Sequence, residues 1–210
     1  IHAMSGADIA LWDLKGKIEG KPVSELLGGR VRDDVRAYAS VLFADTPEET
    51  AAMAQEYVEM GLTAVKFGWG PIGPDPDVDV AHVAAAREAV GWDRDLMVDA
   101  GHAWDWETAL GRTELFKPFK IAWLEEPVGQ DDRKGYAELC KRSEIPIAGG
   151  EGDVTQWDFE DLIERGLDIV QPDIAFCGGI TVCKRVSDMA TAQGRKAVPH
   201  CFSTGINLAA

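Results

Sequence analysis

Short apolar runs recur along the chain, at residues 35–41, 63–67, 96–98, 121–124, 146–148, 167–170 and 196–198. Between and after them lie stretches of helical periodicity near 47–60, 79–90, 105–116, 132–142, 154–165 and 180–193. The runs are too short for helices and predict strands, and the longer stretches predict helices with one apolar face. The first helix has a local start signal. Thr46 stands at the cap position, Pro47 in the first turn and Glu49 three after the cap, and Gly61 supplies a stop.

Strands that alternate with helices predict a parallel sheet, because parallel neighbours need a crossover between them. Seven strand-helix units in series fit an α/β fold of the (β/α)-barrel type better than an open doubly wound sheet. A barrel closes with eight, so residues 31–210 read as an incomplete barrel domain. Residues 1–30 read as a helical connector from a domain upstream, with a helix over 5–16 and a short helical turn over 22–27. The Ile at position 1 and the incipient helix at 205–210 are consistent with a piece of a longer protein. An unclosed barrel exposes two strand edges, so this piece by itself is expected to be poorly soluble and inactive.

Composition narrows the partners. With 21 Lys+Arg against 36 Asp+Glu, the net charge is −15 and no basic cluster appears, which disfavours nucleic acid as a partner. No apolar run approaches the roughly 18 residues of a membrane span, and no signal segment opens the chain. The four cysteines form no CxxC pair, which suits reduced thiols and a cytoplasmic location.

The candidate chemistry follows the strands. Asp99, Glu125 and Glu151 each stand just after an apolar run, at intervals of 26 residues, one strand-helix unit apart. In a barrel that position is the C-terminal mouth, where active sites are built. Acidic residues after strands also cap helices. Three in register, however, repel one another unless a cation sits between them, and hard oxygen donors suit Mg²⁺, with Mn²⁺ as the alternative.

The next two strand ends carry Asp173 and His200, 27 residues apart, and neighbouring strand ends permit an Asp–His dyad for proton transfer. Lys66 ends its strand 33 residues before Asp99 and can bind a substrate carboxylate or act as a base. A solvent-exposed surface lysine is the plainer reading. A Gly/Pro-rich loop follows, from Phe67 to Pro76, and includes Trp69. His102 is a pocket candidate that can equally cap a helix, and Trp104 is a second one. Gly178-Gly179 before a helix can hold a phosphate, but a simple turn is the stronger reading. His2 and His82 read as core or surface residues.

With these residues placed, the chain resembles the enolase superfamily, in its mandelate racemase/muconate lactonizing group. The resemblance rests on residues 6–16 and 22–29, Val65-Lys66, Val98-Asp99, Leu124-Glu125-Glu126-Pro127, Gly150-Glu151, Gln171-Pro172-Asp173 and Pro199-His200. It implies Asp99, Glu125 and Glu151 as Mg²⁺ ligands and Asp173–His200 as the catalytic dyad. Lys66 becomes the first Lys of a Lys-x-Lys pair. It further implies a missing N-terminal capping domain, a missing eighth strand, and a homo-oligomer (dimer or octamer). Substrate contacts are expected from Lys66, His102 and Trp69.

Two departures stand out: Gly68 replaces the second Lys, and Gly101 replaces the Asn of an Asp-x-Asn pattern. Racemisation by 1,1-proton transfer needs a base on each face of the α-carbon, whereas β-elimination needs one base and one acid. The loss at position 68 therefore favours an acid-sugar dehydratase, a carbon–oxygen lyase that yields a 2-keto-3-deoxy acid from a small sugar acid. A racemase or epimerase of a 2-hydroxy acid is the alternative. A non-catalytic, metal-dependent sugar-acid binding protein is another, disfavoured by the retained dyad.

Overall fold

A computed structural model describes residues 1–210. The helices are α1 (His2–Glu19), α2 (Val23–Leu26), α3 (Pro47–Glu59), α4 (Pro76–Val90), α5 (Trp106–Phe116), α6 (Arg133–Arg142), α7 (Gln156–Glu164), α8 (Ile180–Ala192) and α9 (Gly205–Ala209). The strands are β1 (Ala39–Leu42), β2 (Ala64–Gly68), β3 (Asp95–Asp99), β4 (Leu124–Glu125), β5 (Ile147–Gly149), β6 (Ile169–Val170) and β7 (Lys196–Ala197). All seven are parallel and their order is the chain order. The chain forms two compact units, Arg36–Ala148 and the pair of segments Ile1–Val35 with Gly149–Ala210. No helix is long and apolar enough to cross a membrane.

Helix starts are written locally almost everywhere. Thr46 and Glu49 form a reciprocal capping box at α3, which satisfies two amide donors at once. Asp75, Asp105, Asp132, Thr155 and Thr204 accept from first-turn amides of α4, α5, α6, α7 and α9. Helices α1, α2 and α8 have no such side-chain cap, and at α8 the cap position is Gly179, which has no side chain to offer.

In the contiguous unit, β2 is buried along its whole length, as a parallel strand covered on both faces must be. Val65, Phe67, Leu96, Val98, Leu124 and Ile147 form its centre, with Ala54, Val83, Ala86 and Val90 facing them from α3 and α4. Each large side chain so buried stabilises the fold by roughly 1.5–3 kcal/mol. The first strand begins later than the apolar run predicts, at Ala39 rather than residue 35. Val35 is exposed. Arg36 ties its segment down by side chain instead, donating to the Thr63 carbonyl at 2.7 Å and hydroxyl at 2.8 Å and pairing with Asp95. His82 is buried, as expected, with Nδ1 3.0 Å from the Thr50 hydroxyl, and burial pushes its pKa down.

In the discontinuous unit, α1 supplies what α8 lacks. The Asp8 carboxylate accepts from the Thr181 amide at 3.0 Å and its hydroxyl at 2.6 Å, and the Ser5 hydroxyl accepts from the Gly178 amide at 3.0 Å. The Trp12 indole N–H then donates to the Thr181 hydroxyl oxygen at 2.9 Å. The Gly178-Gly179 turn therefore faces the protein's own carboxylate, the turn reading of that pair. Gly179 is required there twice over: its φ is +89°, and a Cβ would run into Asp8. Elsewhere on α1, Met4, Leu11, Leu14 and Ile18 are exposed.

Candidate active site

The candidate residues fall into two groups, one in each unit. In the contiguous unit, the parallel register sets Gly68 beside Asp99 and Asp99 beside Glu125. Lys66 lies two residues before Gly68, so its side chain leaves β2 on the same face. Its ammonium pairs with Glu125 Oε1 and lies 3.7 Å from Asp99 Oδ2. All three are buried, at 5% (Lys66), 6% (Asp99) and 0% (Glu125) exposure, so the surface-lysine reading is excluded. Burial works against the Lys66 charge, but Glu125 and Asp99 outweigh it and hold its pKa above the ordinary lysine value.

At both glycines that depart from the expected pattern, an added side chain would be crowded. A Cβ at Gly68 would come within 2.7 Å of Asp99 Cβ, and a Cβ at Gly101 would come within 2.8 Å of the Trp69 indole. The strand ends are also conformationally unusual. Trp69, His102 and Glu126, which follow β2, β3 and β4, all have left-handed φ, at 57°, 62° and 43°. Such backbone costs of order 1–3 kcal/mol per residue and clusters at functional sites. Trp69 is 50% exposed. His102 Nδ1 is 2.8 Å from the Val128 carbonyl, and Nε2 is 2.9 Å from a carboxylate oxygen of buried Glu126. Trp104 is buried, its indole N–H donating to the Gly73 carbonyl at 2.6 Å.

In the other unit, Asp173 and His200 are bridged neighbours past the ends of β6 and β7. His200 Nδ1 is 2.8 Å from Asp173 Oδ2, and Nε2 is 3.4 Å from Glu151 Oε2. The other Asp173 oxygen accepts from the Ala175 amide at 2.7 Å and the Asn207 amide group at 3.1 Å. Burial pushes the Asp173 pKa up, but these donors and His200 outweigh it and hold the carboxyl below its ordinary range. An ionised Asp173 accepts the Nδ1 hydrogen and leaves the imidazole lone pair at Nε2, the tautomer a general base requires.

The structure thus brings Lys66, Asp99 and Glu125 together, and separately Glu151, Asp173 and His200. It gathers no cluster of three or more His, Cys, Asp or Glu side chains in a metal-holding arrangement. The donor chemistry nonetheless fits a hard divalent cation, because two buried carboxylates, Asp99 and Glu125, set hard oxygen donors beside each other at neighbouring strand ends. Sequence reasoning missed Trp123, Glu126 and Asn207. Trp123 was reachable, since it stands two residues before Glu125, the spacing that puts side chains on one face of extended backbone.

A fold of seven parallel strand-helix units with acidic residues at successive strand ends defines an enolase-type barrel protein. The profile of the enolase C-terminal domain-like family matches residues 49–210, and that of the mandelate racemase/muconate lactonizing enzyme N-terminal domain matches residues 1–28. The chain belongs to the enolase C-terminal domain-like family, in its mandelate racemase/muconate lactonizing group. It is 40% identical over 217 residues to a D-galactarolactone cycloisomerase of Agrobacterium fabrum, covering 100% of this chain and 56% of that protein. It is 35% identical over 212 residues to an arabinonate dehydratase of Saccharolobus solfataricus, covering 99% and 56%. Among solved structures, a mandelate racemase/muconate lactonizing protein from Paracoccus denitrificans complexed with magnesium superposes with a TM-score of 0.93. That match has 33% identity and covers 98% of this chain and 57% of that one. The chain therefore spans a little over half the length of these relatives.

Proposed function

We propose that the protein is a sugar-acid lyase that removes the proton α to a carboxylate and expels an oxygen leaving group from the β-carbon. The observation that carries this reading is the pair of half-buried His200 and buried Asp173, with Nδ1 engaged by the carboxylate at 2.8 Å. His200 acts as the base through Nε2, and Asp173 fixes its tautomer and balances the imidazolium that forms. On the spacing of the strand ends, Asp99, Glu125 and Glu151 are the proposed Mg²⁺ ligands, supported by the hard oxygen donor set and by the magnesium complex of the Paracoccus relative. Bound Mg²⁺ would supply Lewis-acid stabilisation of the charge that builds on the substrate carboxylate. Lys66 adds a charge-assisted hydrogen bond to that carboxylate. Trp69 and His102, beyond the ends of β2 and β3, are proposed to contact the rest of the substrate. Residues 1–30 are the proposed connector to a capping domain, in keeping with the N-terminal profile match.

The crowding at Gly68 supports elimination over racemisation, because the second Lys of the family pair is absent there and a side chain at that position would run into Asp99. After proton abstraction the imidazolium of His200 can return its proton to the departing oxygen. If that oxygen is a free hydroxyl, water leaves and the reaction is a dehydration. A second reading is favoured by the 40% identity to a cycloisomerase: the departing oxygen belongs to a ring, which opens without loss of water.

Proton NMR of the full-length protein with Mg²⁺ in D₂O, across a panel of aldonates, aldarates and their lactones, tests both readings. Loss of the α-proton with a 2-keto-3-deoxy product of one water less establishes the dehydratase. An isomeric product establishes the cycloisomerase. Deuterium at the α-carbon with every hydroxyl retained would overturn the lyase reading in favour of an epimerase.

A further inference from the structure

The Glu125 carboxylate is gripped from two sides by groups of different kinds. Lys66 meets Oε1 and brings a full positive charge. The Trp123 indole N–H donates to Oε2 at 2.8 Å and brings none. Trp123 stands just before β4 and two residues from Glu125, the spacing at which extended backbone puts side chains on one face. The indole is braced edge-on by Tyr38, with ring centroids 5.9 Å apart and planes at 84°. Glu125 itself is fully buried.

These features have a combined chemical meaning. A buried carboxylate has to be hydrogen-bonded, and a charged donor such as lysine satisfies it by cancelling its charge. An indole N–H satisfies one oxygen while leaving the negative charge intact. It is also a donor only, with no acceptor role to switch into, so the carboxylate has a single preferred plane. A carboxylate held in one orientation is what a hard cation requires of a ligand. The groups that hold ligands in place commonly matter to metal affinity nearly as much as the ligands do.

We propose that Trp123 is a positioning residue for the divalent cation, orienting Glu125 through its indole N–H with Tyr38 as the brace. This rests on the reading of Glu125 as a metal ligand, and the test separates the two. Full-length wild type, Trp123→Phe and Glu125→Gln are titrated with Mn²⁺, with the free ion read by electron paramagnetic resonance. Phe keeps a ring against Tyr38 and removes only the N–H and part of the ring. The expected result is loss of binding in Glu125→Gln and a dissociation constant about 10–100-fold weaker in Trp123→Phe. The metal-free melting temperature of Trp123→Phe should stay within a few degrees of wild type.

A second measurement uses wild type alone, labelled with ¹⁵N-tryptophan. The Trp123 indole N–H resonance, identified by its absence in Trp123→Phe or by its proximity to Tyr38, should shift as Mg²⁺ is added. Wild-type affinity in Trp123→Phe alongside lost binding in Glu125→Gln would overturn the inference, as would an indole resonance indifferent to Mg²⁺. Undiminished binding in Glu125→Gln would overturn the ligand reading, and the inference with it.

Discussion

Gly68 on β2 stands in register with Asp99 on β3, and any side chain at 68 would begin 2.7 Å from the Asp99 Cβ. The contact is with the root of the aspartate rather than its mobile end, so neither side chain can swing clear. Gly68→Ala should therefore displace Asp99, costing roughly 1–3 kcal/mol of stability by overpacking and weakening Mn²⁺ binding together. Gly68→Lys restores the letters of the family pair, yet it should not create a racemase. α-Deuteration in D₂O without elimination in that variant would contradict this.

His200→Asn should lower the rate of α-proton removal by about 10²–10⁴-fold, the usual contribution of a positioned general base. Mn²⁺ affinity should stay within a few-fold of wild type, because His200 is a neighbour of Glu151 rather than a proposed ligand. Single-turnover NMR and metal titration on the same preparation check both halves.

The donors around Asp173 make an acid-side prediction. Its folded pKa lies below its ordinary value of 3.8, so folding favours the ionised form. The resulting stabilisation is complete above that ordinary value and is lost as pH falls through the lower folded value. Asp173→Asn should accordingly cost most stability near neutrality, with the gap to wild type narrowing below pH 3.8. Urea unfolding across a pH series measures it, and a gap independent of pH would contradict the account.

The cap that α1 lends to α8 is testable in isolation from catalysis. Asp8→Ala removes the acceptor for the Thr181 amide and should cost about 0.5–2 kcal/mol, as loss of a helix cap does. Gly179→Ala should cost more, since it meets both a left-handed backbone and the Asp8 side chain. Denaturant midpoints with unchanged slopes would give both values.

Much of this was legible in the sequence because it is local. The Thr46–Glu49 capping box needs four residues, and the alternation of strand and helix needs a few dozen. The interval of 26 residues between Asp99, Glu125 and Glu151 marks equivalent strand ends. What stayed hidden depends on residues far apart or on a choice among similar neighbours. The Ala-Trp-Leu-Glu stretch does not disclose that its indole bonds to its carboxylate. Asn207 reaches Asp173 across 34 residues, and Asp8 reaches Thr181 across 173. Position 35 was read as strand because Val35 is apolar, whereas the chain there is anchored by the side chain of Arg36. The missing Lys at 68 was visible in the letters, but the nearness of Asp99 to that position was not.

The division of the chain into a continuous and a discontinuous unit has a consequence for how it is made. Residues 36–148 can find all their internal partners as soon as they are synthesised. Helix α1 is made before α8 and must wait for it, about 170 residues, which at 5–20 residues per second is roughly ten to thirty seconds. During that interval an 18-residue helix, marginal in isolation, has neither its packing surface nor the amide its Asp8 is built to receive. Until α8 is made, α1 thus stays without the partner that its Ser5, Asp8 and Trp12 side chains engage, the kind of element that chaperones hold until the closing piece arrives.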